Sequence, residues 1–259
     1  MIIELFGPPG VGKTTLASAL AARLRARGHG FRLWLSYRPS EYPLASYGEG
    51  VRCLIPAALY RLIRPMVDGL VAARQPSGPD ETRAAEELMR LLVPRSFVWS
   101  LRLRQYLLRL SRAWRDAALA GDITLFDQGF VQAVHTLVLL ARVVDQERIW
   151  RALDRLPEPD LLVRIDAPLP IIAARLTGRR RRQGRIERLL DFDVETNLGS
   201  VWIFDQIHQL LQARGQHVIC VDSANQQSLC DGVDKVETIT LGIQANVLAR
   251  SGAELNEAG

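Results

Sequence analysis

Residues 7–15 read GPPGVGKTT and fit the pattern G-x-x-x-x-G-K-[ST], which is typical of a loop that binds the phosphates of a nucleoside triphosphate. The apolar run MIIELF comes directly before it, as expected of a buried parallel strand that ends in a turn. Leucines and alanines with helical spacing follow over about 13–27, and Gly28 ends this helix. A strand, a glycine-rich loop and a helix in this order predict a P-loop NTPase fold.

The loop residues are expected to bind ATP in distinct ways. The glycines of the loop permit the backbone angles that turn successive N–H groups inward around the phosphates. Lys13 is expected to contact the β- and γ-phosphates, Thr14 to hold Mg²⁺, and Thr15 to reach the α-phosphate. The loop residues that we expect to bind the nucleotide are Gly7, Gly10, Val11, Gly12, Lys13, Thr14 and Thr15.

The rest of the chain alternates strand and helix patterns, which predicts an α/β fold: a five-stranded parallel sheet with helices on both faces, in three layers. The other four strands are expected at 31–36, 123–126, 161–165 and 217–221. The span between strands 2 and 3 is longer than one crossover needs and predicts a helical insert over about 40–120. Helices of this insert are expected at about 54–73, 80–93 and 96–120, the last with Leu101, Leu108 and Trp114 facing inward.

Asp127 ends the third strand, at the edge where parallel sheets bind ligands. Its carboxylate is a candidate both for holding the metal and for accepting a proton from an attacking hydroxyl. The structural alternative is an N-cap, because a helical pattern begins at about residue 130.

An arginine-rich segment over about 175–190 follows the fourth strand and a short helix. Such a segment can close over the phosphates as a lid and stabilise charge in the transition state. Arg175 is the candidate for the bound nucleotide, and Arg179 and Arg185 are candidates for catalysis. A solvated basic loop, or a patch for nucleic acid or anionic lipid, is the alternative.

Composition narrows the class of protein. The 259 residues carry a formal net charge of +5, and 48% of them are hydrophobic, as in an ordinary globular protein. The only lysines among the 33 basic residues are Lys13 and Lys235. An anionic substrate accounts for the basic excess, so no nucleic-acid partner is expected. Three cysteines without metal-ligand spacing, no leader sequence and no apolar stretch suited to a membrane span favour a cytoplasmic protein.

With these features in place, the chain resembles the nucleoside monophosphate kinases among P-loop proteins, and is most similar to thymidylate kinase. The resemblance rests on GPPGVGKTT, on LSYRP at 35–39, on LFDQGFVQA at 125–133, and on the strand, helix and arginines of 159–187. The resemblance covers about 1–225. We expect a kinase-like domain over 1–242 and, because 243–259 lack a clear period, a partly disordered tail there. The resemblance also implies that ATP and Mg²⁺ are used to phosphorylate a small anionic or hydroxyl-bearing acceptor.

The acceptor pocket is expected near the second and third strands. By resemblance, Arg38 stands where the family places an arginine on the acceptor. Gln128 replaces the family's second arginine, which removes a charge expected to hold an acceptor phosphate and leaves the acceptor open. The candidate pocket residues are Arg38, Tyr42, Gln128 and Gln132. The alternative for each of them is an ordinary polar residue of the surface or the core. Apolar helices at 130–155 offer a surface through which two copies could form a homodimer.

Two other classes of protein share the loop. GPPGVGKTTLA also resembles the loop of AAA+ ATPases, which remodel partners, but these have a glutamate after the strand-ending aspartate, where this chain has Gln128. A nucleotide-binding regulatory protein with a decayed kinase site is a further alternative. A regulatory GTPase is excluded, because its Asn-Lys-x-Asp motif is absent from the sequence.

Overall fold

A computed structural model of the chain describes residues 1–35, 79–141, 145–183 and 192–257. The strands are β1 (Ile2–Phe6), β2 (Phe31–Trp34), β3 (Ile123–Phe126), β4 (Leu161–Asp166) and β5 (Val218–Asp222). The helices of these ranges are α1 (Lys13–Ala26), α2 (Pro79–Leu91), α3 (Phe97–Ala120), α4 (Phe130–Leu140), α5 (Gln146–Asp154), α6 (Leu169–Arg182), α7 (Val194–Gly199), α8 (Val201–Ala213) and α9 (Gln226–Glu257).

The five strands form one parallel sheet in the order β2-β3-β1-β4-β5. β1 is therefore central, and Glu4 in its middle stands opposite Phe126 of β3 and Leu162 of β4. Because all strands run in the same direction, their carboxyl ends lie at one edge of the sheet. The loop after β1 and the turn after β3 start from neighbouring positions at this edge.

Helices cover both faces of the sheet, because alternate residues of each strand point to opposite sides. Ile2 and Phe6 pack in a cluster with α2, α3, α4, α5 and α8, whereas Ile3 and Leu5 pack in a second cluster with α1, α6 and α9. The predicted α/β fold with a five-stranded parallel sheet and helices on both faces is confirmed. The predicted strands differ from the observed ones only at their ends.

The described part of the insert contains α2 and α3, which match two of its three expected helices. The third, expected at about 54–73, lies outside the described residues. The buried residues of α3 are Leu103, Leu107, Leu110, Ser111, Trp114 and Ala117. The inward position of Trp114 is confirmed, and Leu108 is half-buried against the core. The expectation for Leu101 is wrong: its exposed fraction is 45%, because the buried stripe begins at Leu103 and recurs every three or four residues.

The arginine-rich segment is largely helical. α6 continues to Arg182, so Arg175 and Arg179 lie on a helix and not on a loop, while 184–191 fall outside the described residues.

The expected boundary at residue 242 does not coincide with a break in secondary structure. α9 continues through it to Glu257, so most of the expected tail has a helical backbone. Although α9 contains 32 residues, neither it nor any other helix in the described ranges is apolar over enough length to cross a membrane.

Candidate active site

The phosphate loop, residues 7–12, owes its shape to glycine. Gly7, Gly10 and Gly12 have φ angles of 145°, 82° and 102°. A Cβ atom on Gly7 would lie 2.1 Å from the carbonyl oxygen of Ile165, so only glycine fits against β4 at this point. Gly12 is the N-cap of α1, and the first N–H groups of that helix point toward the loop, as in anion-binding helix N-termini.

Lys13 turns back over the loop that precedes it. Its side chain is buried, and Nζ donates hydrogen bonds to the carbonyl oxygens of Gly7 at 2.5 Å and Pro8 at 2.9 Å. The ammonium group therefore lies against the first two residues of the loop. A flexible side chain with a compact charge at this place is suited to the β- and γ-phosphates of ATP.

Thr14 and Asp127 meet at the carboxyl edge of the sheet. The Thr14 hydroxyl donates to Asp127 Oδ2 at 3.1 Å, and the backbone N–H of Asp127 donates to the Trp34 carbonyl at 3.2 Å. Asp127 is buried and does not cap α4, whose N-cap is Gly129. Hydroxyl and carboxylate oxygens are ligands that Mg²⁺ accepts, so this pair fits a magnesium site.

Gln132 lies against the phosphate loop in this structure. Its Oε1 accepts a hydrogen bond from the backbone N–H of Gly7 at 3.4 Å, and the side chain is buried. Gln132 therefore braces the first residue of the loop, whereas the sequence had suggested a place in the acceptor pocket.

Gln128 follows Asp127 and is half-buried. Its carbonyl oxygen accepts a hydrogen bond from the Tyr106 hydroxyl of α3 at 3.0 Å. Burial and the nearby Asp127 carboxylate raise the pKa of Tyr106, so its hydroxyl keeps its proton and remains a donor. The insert thus contacts the turn that carries Asp127, and no motif in the sequence singled out Tyr106.

Arg175 links the phosphate loop to the end of β5. Its guanidinium donates to the carbonyl oxygens of Ser223 at 2.7 Å and Val11 at 3.3 Å. The Ser223 hydroxyl donates to the carbonyl oxygens of Val11 and Asp166. Arg175, expected to bind the nucleotide, is placed here where it orders the backbone around the loop.

We expect Arg175→Ala to weaken ATP binding by about tenfold, because charged hydrogen bonds of this kind are worth about 1.5–3 kcal/mol and every 1.4 kcal/mol is about tenfold in affinity. Titration calorimetry with ATP measures the change. Arg182→Ala, an exposed arginine on the same helix, is the control and should leave the affinity unchanged. Equal affinities in all three proteins would show that the loop does not depend on Arg175.

The remaining candidates differ in how far the structure describes them. Val11 is a buried residue of the loop, and Thr15 is exposed on the first turn of α1. Arg179 is half-buried on α6. The candidates that lie outside the described residues are Arg38, Tyr42 and Arg185. Among the described residues, no cluster of three or more His, Cys, Asp or Glu side chains is arranged to hold a metal ion.

Glu4 is a buried carboxyl that the motif analysis missed, although it is the one charged residue of β1. Its Oε1 accepts a hydrogen bond from the backbone N–H of Val131 at 2.6 Å, at the start of α4. Burial raises the pKa of Glu4 from its ordinary value of 4.5 to about 8, although the backbone N–H groups at this helix end act in the opposite direction. Glu4 is therefore mostly neutral at pH 7.

The raised pKa of Glu4 predicts a pH dependence of stability. Folding favours the protonated form, so this contribution is fully present below about pH 4.5 and is lost as the pH rises to about 8. The free energy of unfolding of the wild type should therefore fall relative to that of Glu4→Gln between these pH values. Urea unfolding at several pH values measures this difference, and a constant difference would contradict the raised pKa.

His135 is a second buried ionisable residue close to the site. Its ring stacks on Phe204 of α8, with centroids 3.8 Å apart, and Nε2 lies 3.4 Å from the Ser200 carbonyl oxygen. Burial lowers the pKa of His135 to about 3, and the charge of Lys13 acts in the same direction. The imidazole of His135 is therefore neutral, so it adds no second positive charge near Lys13.

Comparison with known proteins bears mainly on the phosphate loop and the fold. The profile of the AAA family (ATPase family associated with various cellular activities) matches residues 3–37, which include all but the first residue of β1, the phosphate loop, α1 and β2. No curated protein sequence matches the chain significantly.

Two solved structures of deoxyadenosine kinase from M. mycoides are similar to the chain along most of its length. One holds the products dCMP and dCDP, with a TM-score of 0.51 and 13% identity over 93% of this chain and 100% of that chain. The other holds dATP, with a TM-score of 0.50 and 13% identity over 93% of this chain and 99% of that chain. The likeness at this identity is one of fold, and it shows that the chain has a P-loop kinase-like α/β fold.

Proposed function

We propose that this protein is a kinase that transfers the γ-phosphoryl group of ATP to a small nucleoside- or nucleotide-like acceptor. The observation that carries the proposal is the hydrogen bond from Thr14 to Asp127, at 3.1 Å, made by the residue that follows Lys13 at the end of the phosphate loop. A loop for phosphates, a pair of oxygen ligands and a buried carboxylate at one sheet edge are the parts that phosphoryl transfer requires. The kinase-like fold supports the same reading.

The described residues suggest how the transfer is assisted. Lys13 would exchange its loop carbonyls for phosphate oxygens and stabilise the charge on the transferring group. Thr14 and Asp127 would hold Mg²⁺, which when bound neutralises charge on the phosphate oxygens. The Asp127 carboxylate would also accept the proton of an acceptor hydroxyl. Arg179 and Arg185 would complete the site from the arginine-rich segment.

The acceptor is proposed to enter above β2 and β3, between the turn at Asp127 and the helical insert. Tyr106 lies at this side of the turn, and the sequence places Arg38 and Tyr42 soon after β2. Since Gln128 replaces an arginine that related kinases use for an acceptor phosphate, the proposal covers nucleosides as well as their monophosphates. Thymidylate is one of the nucleoside monophosphates that the proposal covers.

One observation favours a second function. The AAA profile matches the chain around its phosphate loop, and some ATPases of this kind hydrolyse ATP to act on a partner. Asp127 is followed by Gln128, whose amide cannot act as the glutamate of such enzymes does. We therefore rank a partner-remodelling or regulatory ATPase second.

A coupled assay of ADP release with a panel of nucleosides, deoxynucleosides and their monophosphates tests the proposal. We expect at least one acceptor to raise ADP release well above the basal rate, with a phosphorylated product seen by mass spectrometry. ATP hydrolysis that no acceptor stimulates, with no phosphorylated product, would refute the kinase and favour the second function.

A further inference from the structure

Glu4 occupies a position where a carboxyl is costly. It lies in the middle of the central strand, it has no exposed surface, and the other residues of β1 are isoleucine, leucine and phenylalanine. Moving a carboxyl group out of water is unfavourable unless its oxygen atoms find donors. An apolar side chain would suit the core better, so the carboxyl has to be explained by what it contacts.

The contacts of Glu4 are concentrated on the start of α4. Oε1 accepts from the N–H of Val131 at 2.6 Å, and the N–H groups of Phe130 and Gln132 also act on the carboxyl. Gly129 leaves the space that the side chain occupies: a Cβ atom there would lie 2.4 Å from Glu4 Cδ. The carboxyl therefore fits into a notch at the helix N-terminus that only glycine allows.

The segment held in this way, residues 127–132, carries most of the contacts of the site. At one end, Asp127 accepts from the hydroxyl of Thr14, and at the other, Gln132 accepts from the N–H of Gly7 at 3.4 Å. Tyr106 of α3 holds the same segment from the insert side. Glu4 belongs to β1 and precedes the first residue of the phosphate loop by three positions. Its hydrogen bond therefore connects residues 127–132 to the strand that leads into the loop.

We propose that Glu4 is a positioning residue, whose carboxyl sets residues 127–132 in register with the phosphate loop so that Asp127 and Gln132 both reach it. Glu4 touches neither nucleotide nor acceptor in this account, and acts through the two residues that it positions. Tyr106 of α3 is an ionisable group near Glu4, and its hydroxyl also feels the charges of Asp127 and Arg109. The effect on turnover rests on the proposed kinase function.

Two substitutions separate positioning from mere packing. Glu4→Ala removes the acceptor of the Val131 N–H. We expect kcat per folded molecule to fall by at least about tenfold, because small misplacements of reacting groups lower the reaction rate strongly. The KM for ATP should rise by a smaller factor. Glu4→Gln keeps an oxygen at the same place and should restore most of the lost kcat.

The notch at Gly129 gives an independent test. Gly129→Ala should displace the Glu4 carboxyl and lower kcat in the wild-type background, but add little to Glu4→Ala, because the side chain that it displaces is already absent. Glu237→Gln is the control: this buried glutamate pairs with Arg23 and Arg27 on the opposite face of the sheet, so its loss should leave kcat unchanged.

Hydrogen exchange gives a readout that needs no acceptor. In Glu4→Ala, peptides covering 127–137 and 5–13 should exchange faster than in the wild type, whereas Glu4→Gln and Glu237→Gln should leave both unchanged. If the wild type phosphorylates nothing, the proposed function fails while this test still decides on Glu4.

Wild-type kcat and wild-type exchange in folded Glu4→Ala would overturn the proposal. So would additive losses of kcat in the Glu4→Ala, Gly129→Ala double variant. If Glu4→Ala does not fold, Gly129→Ala decides alone: a folded protein with wild-type kcat and exchange would overturn the proposal, and a folded protein with lowered kcat supports it.

Discussion

Lys13→Ala is expected to lower the rate of phosphoryl transfer by at least about a hundredfold to a thousandfold, the range seen when one preorganised donor is removed from a transition state. The ammonium group lies against the start of the phosphate loop, where it donates to Gly7 and Pro8, and in the proposed reaction it would move to the β- and γ-phosphates. The fold should persist, because Lys13 belongs to neither of the two hydrophobic clusters that pack on the sheet. Initial rates and far-UV circular dichroism measure both expectations.

The chain offers a matched control for this substitution. Lys235, the other lysine of the sequence, lies on α9 and donates to the Cys220 carbonyl oxygen at 3.2 Å. Lys235→Ala removes the same charge beside β5, an edge strand of the sheet, and should transfer phosphate at the wild-type rate. Wild-type rates in Lys13→Ala as well would refute the assignment of the phosphate loop.

Asp127→Asn is expected to lower kcat by about 10²–10⁴-fold, the usual contribution of a general acid or base, with a much smaller effect on ATP affinity. Asparagine keeps an oxygen that can accept from the Thr14 hydroxyl, so the local hydrogen bond at 3.1 Å can survive. The charge that would hold the metal and take the proton is lost. Steady-state kinetics and calorimetry with ATP separate the two effects.

Asp122→Asn is the control for Asp127, because it changes an aspartate at the other end of the same strand. Asp122 is half-buried and pairs with Arg32 at 3.0 Å, at the amino end of β3 and away from the carboxyl edge of the sheet. Its replacement should leave kcat unchanged. If Asp127→Asn also keeps the wild-type kcat, Asp127 has a structural role alone.

The fold could be predicted from the sequence because its signals are local. The apolar run at 123–126 predicted both ends of β3 correctly, and the phosphate loop predicted the first residue of α1. Asp127 could be placed for a similar reason, since parallel strands end at one edge of the sheet. In α3, the stripe from Leu103 to Ala117 was present in the sequence, and Leu101 was misplaced because a wrong helical phase was assumed.

The contacts within the site could not be predicted, because they join distant parts of the chain. Glu4 and Val131 are 127 residues apart, and their hydrogen bond depends on how α4 docks on the sheet. The same docking turns Gln132 toward Gly7. Arg175 meets Ser223 only because α6 and the end of β5 both lie beside the loop. These orientations cannot be predicted from the residue types alone.

The central claim is tested most directly by following the γ-phosphate itself. ATP labelled in the γ-position is incubated with the wild type, Lys13→Ala and Lys235→Ala in the presence of mixed nucleosides and nucleoside monophosphates, and the labelled products are separated. We expect the label on an organic acceptor with the wild type and Lys235→Ala, and almost none with Lys13→Ala. Label released solely as inorganic phosphate, with no labelled acceptor, would contradict the account.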